Sequence, residues 1–122
     1  MNDYLLDTCF ILGLFNENAK TLKIMQNISP KNCFVSVINR IELLGYHGIT
    51  THDEMMLNDF LNEITQLDLS QKTANKAIEI RKRHKIKLAD SIVLAAALVH
   101  DLTLLTLDEK LAKHYHQEIA SR

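Results

Sequence analysis

Four short apolar or β-branched runs, DYLLD, CFVSV, TQLDL and LTLLT, punctuate this chain, and each is followed by a stretch patterned for a helix. Strands separated by a helix cannot pair as a hairpin; the crossover returns the next strand parallel to the first. The alternation therefore predicts an α/β fold: three layers, α/β/α, around a parallel sheet of about four to five strands. At 122 residues, 47% of them hydrophobic, and with only three glycines, the chain suits one domain spanning 1–122. Nothing resembles a linker: Pro30 is the only proline, and there is no Gly/Ser tract or internal repeat.

The first strand, DYLLD, stops at Asp7 and gives way to the helical TCFILGLF and then to the amphipathic NAKTLKIMQNI. CFVSV reads as the second strand. In INRIELLGYHG, residues Ile38, Ile41, Glu42 and Gly45 recur at helical spacing, which predicts that they share an inward face. Thr51 with Glu54 three residues on reads as a capping box opening THDEMMLNDFLNEI. TQLDL is a weak strand with Asp68 at its end, and Ser70 caps a long helix through QKTANKAIEIRKRH. LADSIVLAAALVH is apolar nearly all round and so should be buried. LTLLT is a further strand, DEKLAKHY a helix, and QEIA a last edge strand.

Charge and composition remove several classes of function. Fourteen basic against fifteen acidic residues leave a net charge near −1, so any polyanion must be held locally rather than by global charge. The first residues carry acids at positions 3 and 7 where a secretory leader needs cations and an apolar core, and no run approaches the roughly 18–20 apolar residues that span a bilayer. A cytoplasmic protein with no membrane partner is expected. Cys9 and Cys33 lie among apolar neighbours and read as reduced, buried thiols. No GxxxxGK[ST] loop is present, and Asp7 lacks the second acid two positions on that a D-x-D nucleophile uses.

The acids are more informative. In an open parallel sheet ligands bind at the carboxyl ends of the strands, and Asp7 closes the first strand there. A helix descending from Asp90 to His100 covers roughly 15 Å, and the strand from Thr103 climbs back roughly 13 Å. Asp108 thereby returns to the height of Asp90, while Glu42 lies one turn into the helix after the second strand. Convergence of Asp7, Glu42, Asp90 and Asp108 would be repulsive without a cation. An all-oxygen set without clustered histidines or thiolates suits Mg²⁺ or Mn²⁺. A hard dication held this way activates water and clamps a phosphodiester.

The stretches LLDTCFIL, INRIELL, KLADSIVLAAAL and LLTLDEKL, in this order and spacing, resemble the PIN domain family and, within it, the VapC toxins of bacterial toxin–antitoxin pairs. The resemblance spans essentially the whole chain. It implies that Asp7, Glu42, Asp90 and Asp108 are catalytic metal ligands, supported by Thr8 beside the first acid and Thr106 in the T-x-D turn. It also implies a Mg²⁺- or Mn²⁺-dependent endoribonuclease acting on single-stranded regions of RNA such as tRNA or rRNA, homodimeric, and neutralised by a small DNA-binding antitoxin. Ser91 stands where the family commonly has alanine, and the phenylalanine that often ends the last motif is missing, with Leu111 nearby.

Each residue also has a plainer role open to it. Asp7 suits a strand-terminal turn, Glu42 a snorkelling residue or one paired with Arg40 or a distant lysine, Asp90 and Asp108 the starts of their helices, and the two threonines local backbone groups. The run RKRHKIK sets Arg81, Lys82, Arg83, Lys85 and Lys87 just ahead of Asp90, either as a rail for RNA phosphates or as a solvated helix end. The six histidines show no metal spacing and read as surface or helix-end residues. Met55, Met56, Leu57, Phe60 and Leu61 read either as core or as the dimer or antitoxin face. A catalytically inactive PIN-fold module for RNA binding or assembly is the competing function.

Overall fold

A computed structural model describes residues 2–122. The chain runs β1 (Tyr4–Leu6), α1 (Thr8–Phe15), α2 (Ala19–Met25), a 3-10 turn (Pro30–Asn32), β2 (Cys33–Ser36), α3 (Val37–Leu44) and α4 (Thr51–Leu61). It continues with β3 (Thr65–Leu67), α5 (Gln71–Arg83), α6 (Leu88–Val99), β4 (Thr103–Leu105) and α7 (Glu109–Ala120). The strands form a four-stranded sheet in the order β3-β2-β1-β4, with every neighbouring pair parallel. The register aligns Leu5 of β1 with Phe34 of β2 and with Leu104 of β4.

Strand periodicity divides the interior in two. Successive side chains of a strand face opposite ways, so Leu5, Phe34 and Leu104 join a core with Ala77, Ile80 and the Val93–Leu98 stretch of α6. Leu6, Cys33 and Val35 face the other way, onto Phe10 and Ile11 of α1, Leu43 of α3 and Leu57 of α4. Each fully buried Leu, Ile or Phe contributes about 1.5–3 kcal/mol through water release, which explains why strands of three or four residues suffice. Helix α6 is buried from Val93 to Leu98 because it packs between the sheet and α5 and α7.

Local signals set the helix starts. Ser36, Thr50 and Ser70 accept from the backbone N–H groups of Asn39, Asp53 and Thr73, and Asp108 accepts from Lys110 and Leu111. In α1, Gly13 is required by close approach: a Cβ there would meet Leu107 Cδ1 and Thr21 Cγ2 at 2.9 Å.

Three expectations fail locally. QEIA is the last turn of α7 rather than an edge strand, since Glu118 is drawn inward by Arg83 and His84 and the helix continues to Ala120. Thr50, not Thr51, caps α4. Helix α3 buries Asn39 and Leu43, leaving Ile41 60% exposed, so the inward face is rotated from the one that Ile38 and Ile41 suggested. A buried polar asparagine carries no hydrophobic signal.

Candidate active site

From β1 the chain moves outward to β2 and β3, then crosses back to lay β4 against the other side of β1. The reversal opens a crevice at the carboxyl ends of β1 and β4, the usual ligand position in such sheets. Asp7 sits there, extending the ladder by donating its backbone N–H to Leu105 O at 3.0 Å.

Asp7 is only 6% exposed, and its two carboxylate oxygens have separate partners. Oδ1 accepts from Asn39 Nδ2 at 3.1 Å. Oδ2 accepts from Thr106 Oγ1 at 2.8 Å, and Cys9 Sγ lies 3.2 Å from that same oxygen. Its carboxylate makes no capping bond to the helix it precedes. Buried charge is costly unless hydrogen-bonded, and here three side chains from three segments carry that role.

The remaining acids surround this floor. Glu42 is exposed at the rim, and its Oε1 accepts from Thr8 Oγ1 at 2.8 Å. Asp90 lies half-buried in the first turn of α6. Burial first, and then the charges of Asp7, Asp108 and Glu42, push its carboxyl above the ordinary range, with Lys87 opposing. That pattern puts Asp7, Asp108 and Glu42 each within electrostatic reach of Asp90. Asp108 is exposed and engaged, accepting from the N–H groups of Lys110 and Leu111 at 3.0 and 3.1 Å, while Thr106 Oγ1 accepts from its own N–H at 3.1 Å.

Among the described residues, no three His, Cys, Asp or Glu side chains stand close enough around one point to coordinate a metal as placed. Their chemistry nevertheless suits a hard dication. The donors are carboxylate oxygens, and a cation between them would offset the repulsion that raises Asp90. Burial, with the neighbouring Asp7 charge, raises the Cys9 thiol above its ordinary value, although the Thr106 and Leu107 bonds act the other way.

Beside Asp90 and Asp108 opens a cleft of about 520 Å³ bordered by the cations Arg81, Lys85, Lys87 and Lys110. The basic run is thereby divided. Lys82 is exposed away from this cleft, and Arg83 is withdrawn, its Nη2 2.5 Å from Glu118 Oε1.

The chain belongs to the PIN domain family, whose model matches residues 4–117. Members of that family are generally nucleases. A toxin–antitoxin complex from Klebsiella pneumoniae is similar over 88% of both chains, at 27% identity and a TM-score of 0.78. FitAcB from Neisseria gonorrhoeae matches over 93% of each chain at 22% identity and a TM-score of 0.79. DNA-bound VapBC from Salmonella typhimurium matches over 93% of this chain and 92% of its own, at 17% identity and a TM-score of 0.78. At 22% and 17% identity the likeness is one of fold. No curated protein matches the sequence.

Sequence reasoning missed Asn39, Cys9, Lys110 and His114. Cys9 is not an apolar core thiol but part of the site floor, in contact with Asp7 and Thr106, whereas Cys33 is fully buried as expected; both are free. The histidines are not all superficial: the rings of His84 and His114 lie with centroids 4.7 Å apart, tilted by 56°, and both ring nitrogens of His114 are buried with no hydrogen-bond partner among the described residues. Lys110 and His114 had a signal, since both share with Leu111 the helical spacing that follows Asp108.

Proposed function

We propose that this chain is a VapC-type toxin: a Mg²⁺- or Mn²⁺-dependent endoribonuclease that cuts single-stranded regions of RNA, with tRNA and rRNA as the substrate class. The observation that carries this reading is geometric: at the end of β1 the buried Asp7 has each carboxylate oxygen held by a side chain, from Asn39 and Thr106, while Asp90 and Asp108 line one cleft with four cations. An Asp90 carboxylate opposed by burial and by Asp7, Asp108 and Glu42 at a ligand-binding edge has a purpose if a dication joins them. Asp7, Asp90, Asp108 and Glu42 would hold it. When bound, the ion supplies a water acidic enough to attack at neutral pH and a counter-charge for the phosphodiester.

The chain's own residues supply the rest. Thr106 and Asn39 fix the Asp7 oxygens, and the Thr8 hydroxyl restrains Glu42. Arg81, Lys85, Lys87 and Lys110 border a channel suited to RNA phosphates beside the acids. The competing reading, an inactive RNA-binding or assembly module, draws on the capping bonds that occupy Asp108. Capping uses only Oδ1 and leaves Oδ2 for a ligand.

Partner choice belongs to the same proposal. A groove of about 400 Å³ between α1, α3 and α4 is walled by Leu12, Phe15, Tyr46 and Met56 and reaches Glu42. It suits an apolar segment of a small DNA-binding antitoxin, whose end would lie beside the acids. A homodimer carrying two such grooves is expected. The test is incubation of purified protein with total RNA, with Mg²⁺, Mn²⁺ or chelator. Discrete metal-dependent cuts in unpaired loops are expected; intact RNA in every condition would overturn the nuclease assignment.

A further inference from the structure

We propose that Asn39 is a positioning residue that sets the relation between Asp7 and Glu42, so that the two acids act on one cation; this rests on the nuclease reading of the site. Asn39 is fully buried, and every hydrogen-bonding atom of its side chain is used. Its amide nitrogen donates one hydrogen to Asp7 Oδ1 at 3.1 Å and the other to Thr8 Oγ1 at 2.9 Å. Its carbonyl oxygen accepts from Ser36 Oγ at 2.7 Å.

The direction of these bonds is fixed by the helix cap. Ser36 Oγ accepts the backbone N–H of Asn39 at 3.2 Å, so its own hydrogen points to Asn39 Oδ1. An oxygen held there turns the NH₂ end of the amide toward Asp7 and Thr8. Thr8 then accepts from Asn39 and spends its single hydrogen on Glu42 Oε1 at 2.8 Å. The polarity runs unbroken from the start of α3 to two acids, one on β1's end and one on α3 itself. Among the described residues, no other side chain hydrogen-bonds to both Asp7 and the residue that restrains Glu42. The geometry is unlike a core amide that merely satisfies itself, because both donors serve groups of the site.

The test uses Asn39→Ala, the near-isosteric Asn39→Asp, and Ser36→Ala. Removal of a group that orients metal ligands typically costs about 10–100-fold. In Asn39→Ala, Mn²⁺ affinity followed by electron paramagnetic resonance should weaken by about that factor, and kcat per folded molecule should fall similarly while KM for RNA stays within about twofold. Asn39→Asp removes both donors without opening a cavity and should lose at least as much. Ser36→Ala should lose less, and the double variant Ser36→Ala/Asn39→Ala no more than Asn39→Ala alone, because one chain of bonds is cut twice. A folded Asn39→Ala that binds Mn²⁺ and turns over like the parent overturns the proposal. If the parent itself neither binds Mn²⁺ nor cuts RNA, the nuclease reading fails instead. The Asn39 assignment is then decided by its side-chain amide signals in ¹⁵N NMR. Two protected protons, one of them alone shifted in Thr8→Val, uphold the shared donation, and rapidly exchanging protons refute it.

Discussion

Arg83 and Glu118 form a 2.5 Å ion pair that joins the end of α5 to α7, with the glutamate only 5% exposed and His84 Nε2 on its other oxygen at 2.7 Å. Burial alone would raise the Glu118 carboxyl, but the bonds from Arg83 and His84 outweigh it and hold the carboxyl below its ordinary value. A depressed acid stabilises the fold above its unfolded pKa of about 4.3 and loses that contribution as pH falls through the folded value. Glu118→Gln should therefore destabilise at pH 7 by about 2 kcal/mol and flatten the acid limb of the stability curve. Urea melts from pH 7 to pH 3 check this; a parent and variant that lose stability in parallel would contradict it.

Because Arg83 is occupied by that pair, its loss should not resemble the loss of the cleft cations. Substituting Arg81, Lys85 and Lys87 together should weaken RNA binding and lower the magnitude of the log Kd against log salt slope by about 2, at roughly 0.7 per phosphate contact on single strands. Arg83→Ala and Lys82→Ala should leave the slope unchanged. Fluorescence anisotropy with an inactive Asp7→Asn background and unstructured RNA measures both; equal effects from Arg83 and Arg81 would dissolve the division.

Cys9 and Cys33 should both be recovered as free thiols under non-reducing, alkylating conditions. Reaction with a disulfide reagent at pH 7.5 should be slow in the folded protein, since burial raises both thiols, that of Cys33 to about 11. Thiolate is the reacting form. A fast-reacting cysteine, or a bridge by mass spectrometry, would contradict the described packing.

Tyr46 and Met56 border the groove that reaches Glu42 and are about half exposed, so charge there should spare the fold. Tyr46→Asp or Met56→Asp should keep the melting temperature near the parent's while weakening antitoxin capture at least tenfold, by leaving a charge unpaired against an apolar segment. Co-purification of this chain with the product of an adjoining small reading frame provides the assay, and undiminished capture would place the proposed antitoxin elsewhere.

Most elements were legible because burial in a parallel sheet writes itself into short apolar runs, as in DYLLD and LTLLT, and caps such as Ser70 mark helix starts. The end of α7 was not, because QEIA resembles a strand and its helix is held by a glutamate paired across 35 residues. Asp7, Asp90 and Asp108 were visible from their places at element junctions. Asn39 was invisible, since a buried amide follows no hydrophobic period and its purpose exists only once β1 and α3 are adjacent. The split of the basic run likewise depends on which way a helix turns at its end.

Asp90→Asn decides whether Asp7, Glu42, Asp90 and Asp108 form the proposed dication-dependent hydrolytic site at the β1–β4 crevice. Without metal the variant should melt at or above the parent's temperature, because it removes a carboxylate raised by burial and repulsion. Mn²⁺ or Mg²⁺ should raise the parent's melting temperature well above any shift in the variant, since only the folded parent binds. Cleavage of single-stranded RNA, assayed on the same preparations, should fall at least about 100-fold in the variant. A variant that unfolds, beside a parent whose melting and RNA cleavage ignore both metals, would leave the acids as helix caps and contradict the account.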